Sequence, residues 1–336
     1  MAAVPVVIDT DAGIDDAVAL WWALTDPRIE VRGITTVHGN VALDQAVANI
    51  AVVLATAGRT DVIVGVGSAK PFGPTPNLPR ATFIHGFDGL GDCGLVPPGA
   101  VADVPSALGV TVTTAASVFA TCADDATLVT LGPLSTVATE LRNDPTLVAR
   151  FRRLVVMGGA FASPGNAYPA AEANIINDPE AAQFVLGAGW NMPPLLVGLD
   201  VTQEATFTAA EVELLAQRRN AAAAFCDGPL KTYARFGGTF CDPGEFPCHD
   251  LLAMMASAVE DLVTGPVLPV SVQTNPGPAW GMTVADFRQP FFTRSGSTQS
   301  APDGFVNCQV ALEVNGPLWR REVRNFSVSR SNTQAR

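Results

Sequence analysis

The sequence predicts an α/β fold: one large domain with a mostly parallel central sheet flanked by helices and an active site at the strand C-terminal ends. Three observations carry this. Short apolar, β-branched runs recur along the chain, Ala- and Leu-rich stretches of helical character separate them, and the polar residues of interest gather just after the runs. Such alternation favours parallel pairing, because a parallel pair needs a crossover long enough to hold a helix. Strand C-termini then line one rim, where ligands of such sheets bind.

The elements follow in order. Val4–Ile8 is a continuous apolar run and reads as a buried strand, with a helix over Ala17–Leu24 behind it. Further strands are expected at Val31–Val37, Val62–Val66, Thr127–Leu131, Leu154–Met157 and Leu195–Val197. Helices are expected at Asp44–Ala57, Ala116–Cys122 and Pro179–Leu186. Residues 67–105 are rich in Pro and Gly and read as a long functional loop system holding His85. Residues 203–248 read as helical and then turn-rich at Gly237–Pro247, and 268–288 as a terminal hairpin. Residues 327–336 are expected to fray. No repeat or linker divides the chain, so residues 1–336 read as a single Rossmann-like domain.

Of the 336 residues, 48% are hydrophobic and 15% charged, which suffices for a large core. The net charge is −12, and Lys70 and Lys231 are the only lysines, which argues against a surface that tracks nucleic-acid phosphates. A small uncharged or cationic partner suits this charge better. No basic segment precedes an apolar one near Met1, and no apolar run approaches the ~20 residues of a membrane span. A cytoplasmic location is therefore expected, with no membrane partner. The six cysteines are scattered without a CxxC pair and are expected to be free thiols. Cys241, Cys248 and His249 match no standard zinc spacing.

Directly after the first run, Asp9, Asp11, Asp15 and Asp16 crowd a strand end and a helix start. Two carboxylates ~5 Å apart repel by about 3 kcal/mol at an effective dielectric near 20. A helix N-terminus returns only about 0.3–1 kcal/mol per carboxylate. Either some of these acids are protonated or a cation sits among them; the alternative is a helix cap with spare acids on a solvated face. Asp11, Asp15, Asp16 and, far downstream, Asp250 form an oxygen-only set that selects Ca2+ or Mg2+ over zinc. Of the three histidines, His85 and His249 are candidates for contacting a ligand or moving a proton, whereas His38 reads as an ordinary surface or satisfied core residue. Asn166, Glu172 and Asn174 offer donors and acceptors suited to sugar hydroxyls, or else form a capping and turn cluster.

The run Asp9-Thr10-Asp11-Ala12-Gly13-Ile14-Asp15-Asp16-Ala17 resembles the DxDxGxDDA signature of the inosine–uridine-preferring nucleoside hydrolases. The resemblance continues through Gly39-Asn40, Leu131-Gly132-Pro133-Leu134, Met157-Gly158-Gly159, Asn166…Glu172-Ala173-Asn174-Ile175 to Ala182, His249-Asp250, and Gly281-Met282-Thr283-Val284. It implies a Ca2+-dependent enzyme that hydrolyses the N-glycosidic bond of ribonucleosides to ribose and free base, in purine or pyrimidine salvage. On it, Asp11 is a metal ligand and the general base on the attacking water. Asp16, Asp250 and the Leu131 backbone carbonyl complete the metal set. Asn40 lies near the water, and Asp15 and Asn174 hold ribose hydroxyls. Asn166 and Glu172 contact the 5′ side, His249 is the acid for the departing base, and His85 lines the base pocket. A homodimer or homotetramer is implied.

Two positions depart from the pattern. Ala12 stands where many members have proline, a change expected to alter stiffness and not chemistry. Ala173 stands where an aromatic is common, which bears on the 5′ end of the pocket. Phe83, Phe87, Tyr233 and Phe236 are candidate base-pocket aromatics. Two rival readings accompany this one. Asp9-Thr10-Asp11 also resembles the DxD of haloacid-dehalogenase-like phosphatases, although no lysine has the context that chemistry needs. The other rival is a non-catalytic Ca2+-dependent nucleoside- or sugar-binding protein on the same scaffold.

Overall fold

The first apolar run lies at the middle of the sheet in the computed structural model, which describes residues 2–76, 78–96, 101–217, 226–237, 244–288 and 303–328. The strands are β1 (Val4–Thr10), β2 (Ile29–Thr36), β3 (Ile63–Val66), β4 (Val112–Thr114), β5 (Thr127–Thr130), β6 (Arg153–Met157) and β7 (Leu195–Val197). They continue with β8 (Thr206–Thr208), β9 (Glu245–Pro247), β10 (Val263–Thr264), β11 (Val267–Val272), β12 (Thr283–Ala285), β13 (Val306–Val310) and β14 (Glu313–Val314). The main sheet runs β12-β11-β13-β7-β6-β5-β1-β2-β3-β4. It is parallel from β13 to β4, and β11 is antiparallel to both of its neighbours.

Continuous apolar runs form the central strands because both faces are covered. Val6 and Ile8 point into one core with Val129, Val155 and Met157, and Val7 points into the other with Leu128, Leu154 and Val156. The first core is closed by the helices Ile14–Thr25, Leu43–Ala57, His249–Ala256 and Gly316–Val328. Helices Ala115–Cys122, Ser135–Asn143 and Pro179–Leu186 close the second. From β1 the chain winds outward through β2, β3 and β4, then restarts on the other side with β5. The β1/β5 junction is therefore the topological switch point, where ligands bind in open α/β sheets.

The six expected strands and four expected helices are present, with ends shifted by up to a few residues. Others were missed. β13 inserts between β7 and β11, so the expected hairpin 268–288 joins the main sheet only through it. The segment read as helical and turn-rich also supplies the antiparallel pair β8/β9. The helix Gly316–Val328 was not expected, because charges at 320–322 and 324 interrupt its apolar residues. It nevertheless buries Trp319, Val323 and Phe326 at helical spacing, with Phe326 4.9 Å from the Trp21 ring. Most of the expected fraying tail, 329–336, lies outside the described residues. No helix among the described residues is long and apolar enough to cross a membrane.

Candidate active site

β1 ends at Thr10, and the chain turns at Ala12 with φ +56° before Gly13 caps the helix Ile14–Thr25. The turn is held locally. The Thr10 hydroxyl donates to Asp16, its oxygen accepts the Ala12 N–H at 3.1 Å, and the Gly13 N–H donates to Asp16 Oδ2 at 2.8 Å. Ala12 thus adopts a left-handed backbone that proline, locked near φ −65°, cannot take.

This turn sets Asp15 and Asp16 in the first turn of the helix, both buried. Asp250 enters the same space from the first turn of His249–Ala256, a helix packed against Ile14–Thr25. Oxygens of Asp15, Asp16 and Asp250 all lie within 4.8 Å of one another. Each such pair, if ionised, repels by about 3 kcal/mol at an effective dielectric near 20. Burial pushes the Asp15 carboxyl up to about 6. Burial and the neighbouring acids also raise Asp11, Asp16 and Asp250. Asp15 Oδ1 is buried with no hydrogen-bond partner. The donors are all oxygens, several are carboxylates, and one is orphaned, which is the donor set of a hard divalent cation. The spare-acids-on-a-solvated-face alternative fails, because these acids are buried.

Asp11 adjoins this trio and is gripped by Asn40. The Asn40 backbone N–H donates to Oδ2 at 2.7 Å and its side-chain amide to Oδ1 at 3.1 Å. The same amide reaches Asp16 Oδ2 at 3.3 Å, so it bridges the two carboxylates. Glycine is needed beside Asn40: a Cβ on Gly39 would lie 1.9 Å from Asp11 Oδ2. The Leu131 carbonyl, just past β5, accepts from Asn174 Nδ2 at 2.8 Å, which leaves it one further lone pair.

The histidines approach from two sides. His85 is buried at the end of the short helix Thr82–His85. Its Nδ1 accepts the Ile14 N–H at 3.2 Å and stands 3.9 Å from Asp15 Oδ1, so Nε2 carries the ring proton. His249 Nδ1 lies 2.8 Å from the Thr202 hydroxyl. Burial lowers both imidazoles to about 4, so both are neutral at pH 7. If Thr202 donates to Nδ1, the His249 proton sits on Nε2. Tyr233, expected as a base-pocket aromatic, is buried; its hydroxyl donates to Asp15 Oδ2 at 3.3 Å and its ring centroid lies 5.8 Å from that of His85.

The sugar-directed group is partly used for capping. Glu172 caps the helix Ala173–Asn177, accepting the N–H of Asn174 at 2.8 Å, Ile175 at 3.1 Å and Gly159 at 3.2 Å. Asn166 is exposed and accepts the Ala173 N–H at 2.9 Å. Asn174 spends its amide on the Leu131 and Met157 carbonyls, which leaves its side-chain oxygen free for a donor. Phe83 and Phe87 flank His85 and are 63% and 84% exposed, and the Phe236 side chain lies outside the described residues. Sequence reasoning missed Thr202 and the Tyr233–Asp15 contact. The one available signal was that Thr202 follows the Gly198-Leu199-Asp200 exit of β7.

A family model described as inosine-uridine preferring nucleoside hydrolase matches residues 6–320. A probable uridine nucleosidase 2 of Arabidopsis thaliana is 34% identical over 312 residues, 93% of this chain and 94% of that protein. An inosine-uridine preferring nucleoside hydrolase of Leishmania major is 34% identical over 290 residues, 85% and 88% of the two chains. Among solved structures, a plant nucleoside hydrolase is similar with a TM-score of 0.81 and 29% identity, covering 97% of this chain and 99% of its own.

Proposed function

The chain belongs to the inosine-uridine preferring nucleoside hydrolase family, and from that premise we propose how its residues divide the reaction. The protein is a glycosidase that hydrolyses the N-glycosidic bond of ribonucleosides. The observation that carries the assignment is the buried trio Asp15, Asp16 and Asp250 at the β1/β5 switch point: Asp16 and Asp250 offer carboxylates to an ion, and the orphaned Asp15 Oδ1 beside them is free to accept from a ribose hydroxyl.

We assign the cation as Ca2+, held by Asp11, Asp16, Asp250 and the Leu131 carbonyl, because Ca2+ takes about 6–8 oxygens in loose geometry. Such an ion supplies a positive charge that makes a neighbouring water more acidic. Asp11 would take the proton of the attacking water, with Asn40 fixing the direction of its carboxylate. Asp15 and the Asn174 side-chain oxygen accept hydrogen bonds from ribose hydroxyls and hold the ring. Glu172 and Asn166 shape the 5′ side, in part through the helix start that they cap. N-glycoside cleavage passes through an oxocarbenium-like state, so the departing base needs a proton. His249 would deliver it as the imidazolium: the ring, neutral in the free protein, takes up a second proton once substrate is bound and returns to the neutral form as the base leaves, with Thr202 holding Nδ1. His85 presents its Nε2–H to the base side.

Uridine and inosine are the first candidate substrates, given what the Arabidopsis and Leishmania relatives are named for. Nucleoside salvage in the cytoplasm by a homodimer or homotetramer completes the reading. The experiment is ribose release from inosine, adenosine, guanosine, uridine and cytidine, before and after chelation and with Ca2+ added back. Release that stops on chelation and returns with Ca2+ supports the reading. No release from any nucleoside, with Ca2+ bound, overturns it in favour of a binding protein.

A further inference from the structure

His38, set aside as an ordinary residue, is pinned at both ends. Its backbone N–H donates to the Ser68 carbonyl at 2.9 Å, and its Nε2 lies 2.9 Å from Ser135 Oγ. Ser135 Oγ in turn donates to Asp178 Oδ2 at 2.5 Å. A hydroxyl has one proton to give. With that proton on Asp178, Ser135 Oγ accepts from His38, so Nε2 is the protonated ring nitrogen.

Asp178 is fully buried and collects more than this bond. It accepts the N–H of Phe72 at 2.5 Å and of Gly73 at 3.3 Å, and it caps Pro179–Leu186 through the Ala181 N–H at 3.1 Å. One carboxylate therefore ties together four segments. These are the exit of β2 through His38, the helix start at Ser135 just past Leu131, the helix that follows Glu172 and Asn174, and the stretch that leads to His85. On the site side, the same β2 exit ends in Gly39 and Asn40, which press against Asp11.

We propose that His38, through Ser135 and Asp178, is a positioning residue that sets the angle of the Asp11 carboxylate. The proposal rests on the hydrolase reading above. His38 fixes one end of a three-residue turn, and Asn40 at the other end holds both Asp11 oxygens. Releasing His38 lets the turn rotate and turns Asp11 away from the water it must deprotonate. Indirect partners of metal ligands typically govern about 10–100-fold in metal affinity or activity.

The test uses the full chain as wild type, His38→Ala, His38→Gln, Ser135→Ala and the double variant His38→Ala/Ser135→Ala. Glutamine keeps a side-chain N–H able to reach Ser135. Steady-state kinetics and a Ca2+ titration read by thermal shift are run on each. His38→Ala and Ser135→Ala are expected to lower kcat about tenfold with KM within about twofold, and to weaken Ca2+ about tenfold. His38→Gln is expected to recover most of both losses. The double variant is expected to be no worse than the worse single one, because one link is broken in each. Wild-type kcat and Ca2+ affinity in His38→Ala would overturn the proposal, as would multiplying losses or a glutamine no better than alanine. A wild-type protein that releases no ribose would count against the hydrolase reading instead, and the Ca2+ titrations would then decide the part of His38.

Discussion

Asn40 holds both oxygens of Asp11, one through its backbone N–H at 2.7 Å and one through its side-chain amide at 3.1 Å. A carboxylate fixed at both oxygens cannot rotate without breaking a bond. Hydrogen bonds to charged groups contribute about 1.5–3 kcal/mol, so Asn40→Ala is expected to lower kcat about 10- to 150-fold. Steady-state rates on uridine and inosine check this. A wild-type kcat in that variant would show that the side-chain bond does not matter to Asp11.

Gly39 admits no side chain, because its Cβ would fall 1.9 Å from Asp11 Oδ2. Gly39→Ala must displace either the turn or the acid. Its expected phenotype is a loss of about 100-fold or more in kcat with a folded protein, the usual result of a misplaced reacting group. Circular dichroism and activity measured together test this. A fully active Gly39→Ala would mean that Asp11 is not the base.

Removing the cation leaves the carboxylates of Asp15, Asp16 and Asp250 buried against one another. Ca2+ at about 100-fold above its Kd stabilises a protein that binds it only when folded by about 2.7 kcal/mol. Chelation is therefore expected to abolish activity and lower the melting temperature. Asp16→Asn is expected to lose the Ca2+-dependent rise; in chelator the repulsive charge it removes is set against the acceptor it gives up to Thr10, Gly13 or Asn40. An undiminished Ca2+ response in Asp16→Asn would remove Asp16 from the metal set.

His249 is expected to matter in proportion to how badly the leaving group needs a proton. General acid help is worth about 10²–10⁴-fold, so His249→Ala should lose that much on natural nucleosides. On an aryl riboside whose leaving group departs as a stable anion, the loss should be far smaller. Equal losses on both substrates would exclude the acid role.

Glu172 gives the protein a pH signature. Burial raises its carboxyl from 4.5 to about 7. A group that holds its proton more tightly when folded favours the fold at low pH. Its contribution is fully present below pH 4.5 and is lost as the pH rises through about 7. Glu172→Gln cannot ionise and gives up acceptor capacity at every pH, so its cost relative to wild type should shrink between pH 4.5 and 7.5 (a window set by the shift). Urea midpoints for both proteins, in chelator, measure this. A difference independent of pH would place the Glu172 pKa near its ordinary value.

What could be read in the sequence was local. Asp11, Asp15 and Asp16 fall on one turn between β1 and the helix that follows, so their crowding showed without any knowledge of the fold. Val6, Val7 and Ile8 read as a buried strand because every residue is apolar, whichever face it meets. Asp250 and His249 were different. Nothing local ties them to Asp11: they stood as candidates because of their residue types, and only the resemblance gave them their roles. The contacts of Tyr233 with Asp15, Thr202 with His249 and Ser135 with His38 were not legible, because hydroxyls occur throughout the chain and only the position of Thr202 after β7 set one apart. β13 and the helix Gly316–Val328 were missed because their polar residues blur the period that packing then resolves.

The sequence by itself determined the alternation of strands and helices, the polar rim after the strands and the charge problem at Asp9–Asp16. Each of these is set within a single element by side-chain period or Coulomb repulsion between near neighbours. The tertiary structure alone decided that β5 lies against β1, that the helix starting at His249 meets the helix starting at Ile14, and that Asp178 gathers four segments. Those contacts join residues far apart in the chain. They form because two apolar cores must be closed on the two faces of one sheet, a condition that no short stretch of sequence expresses.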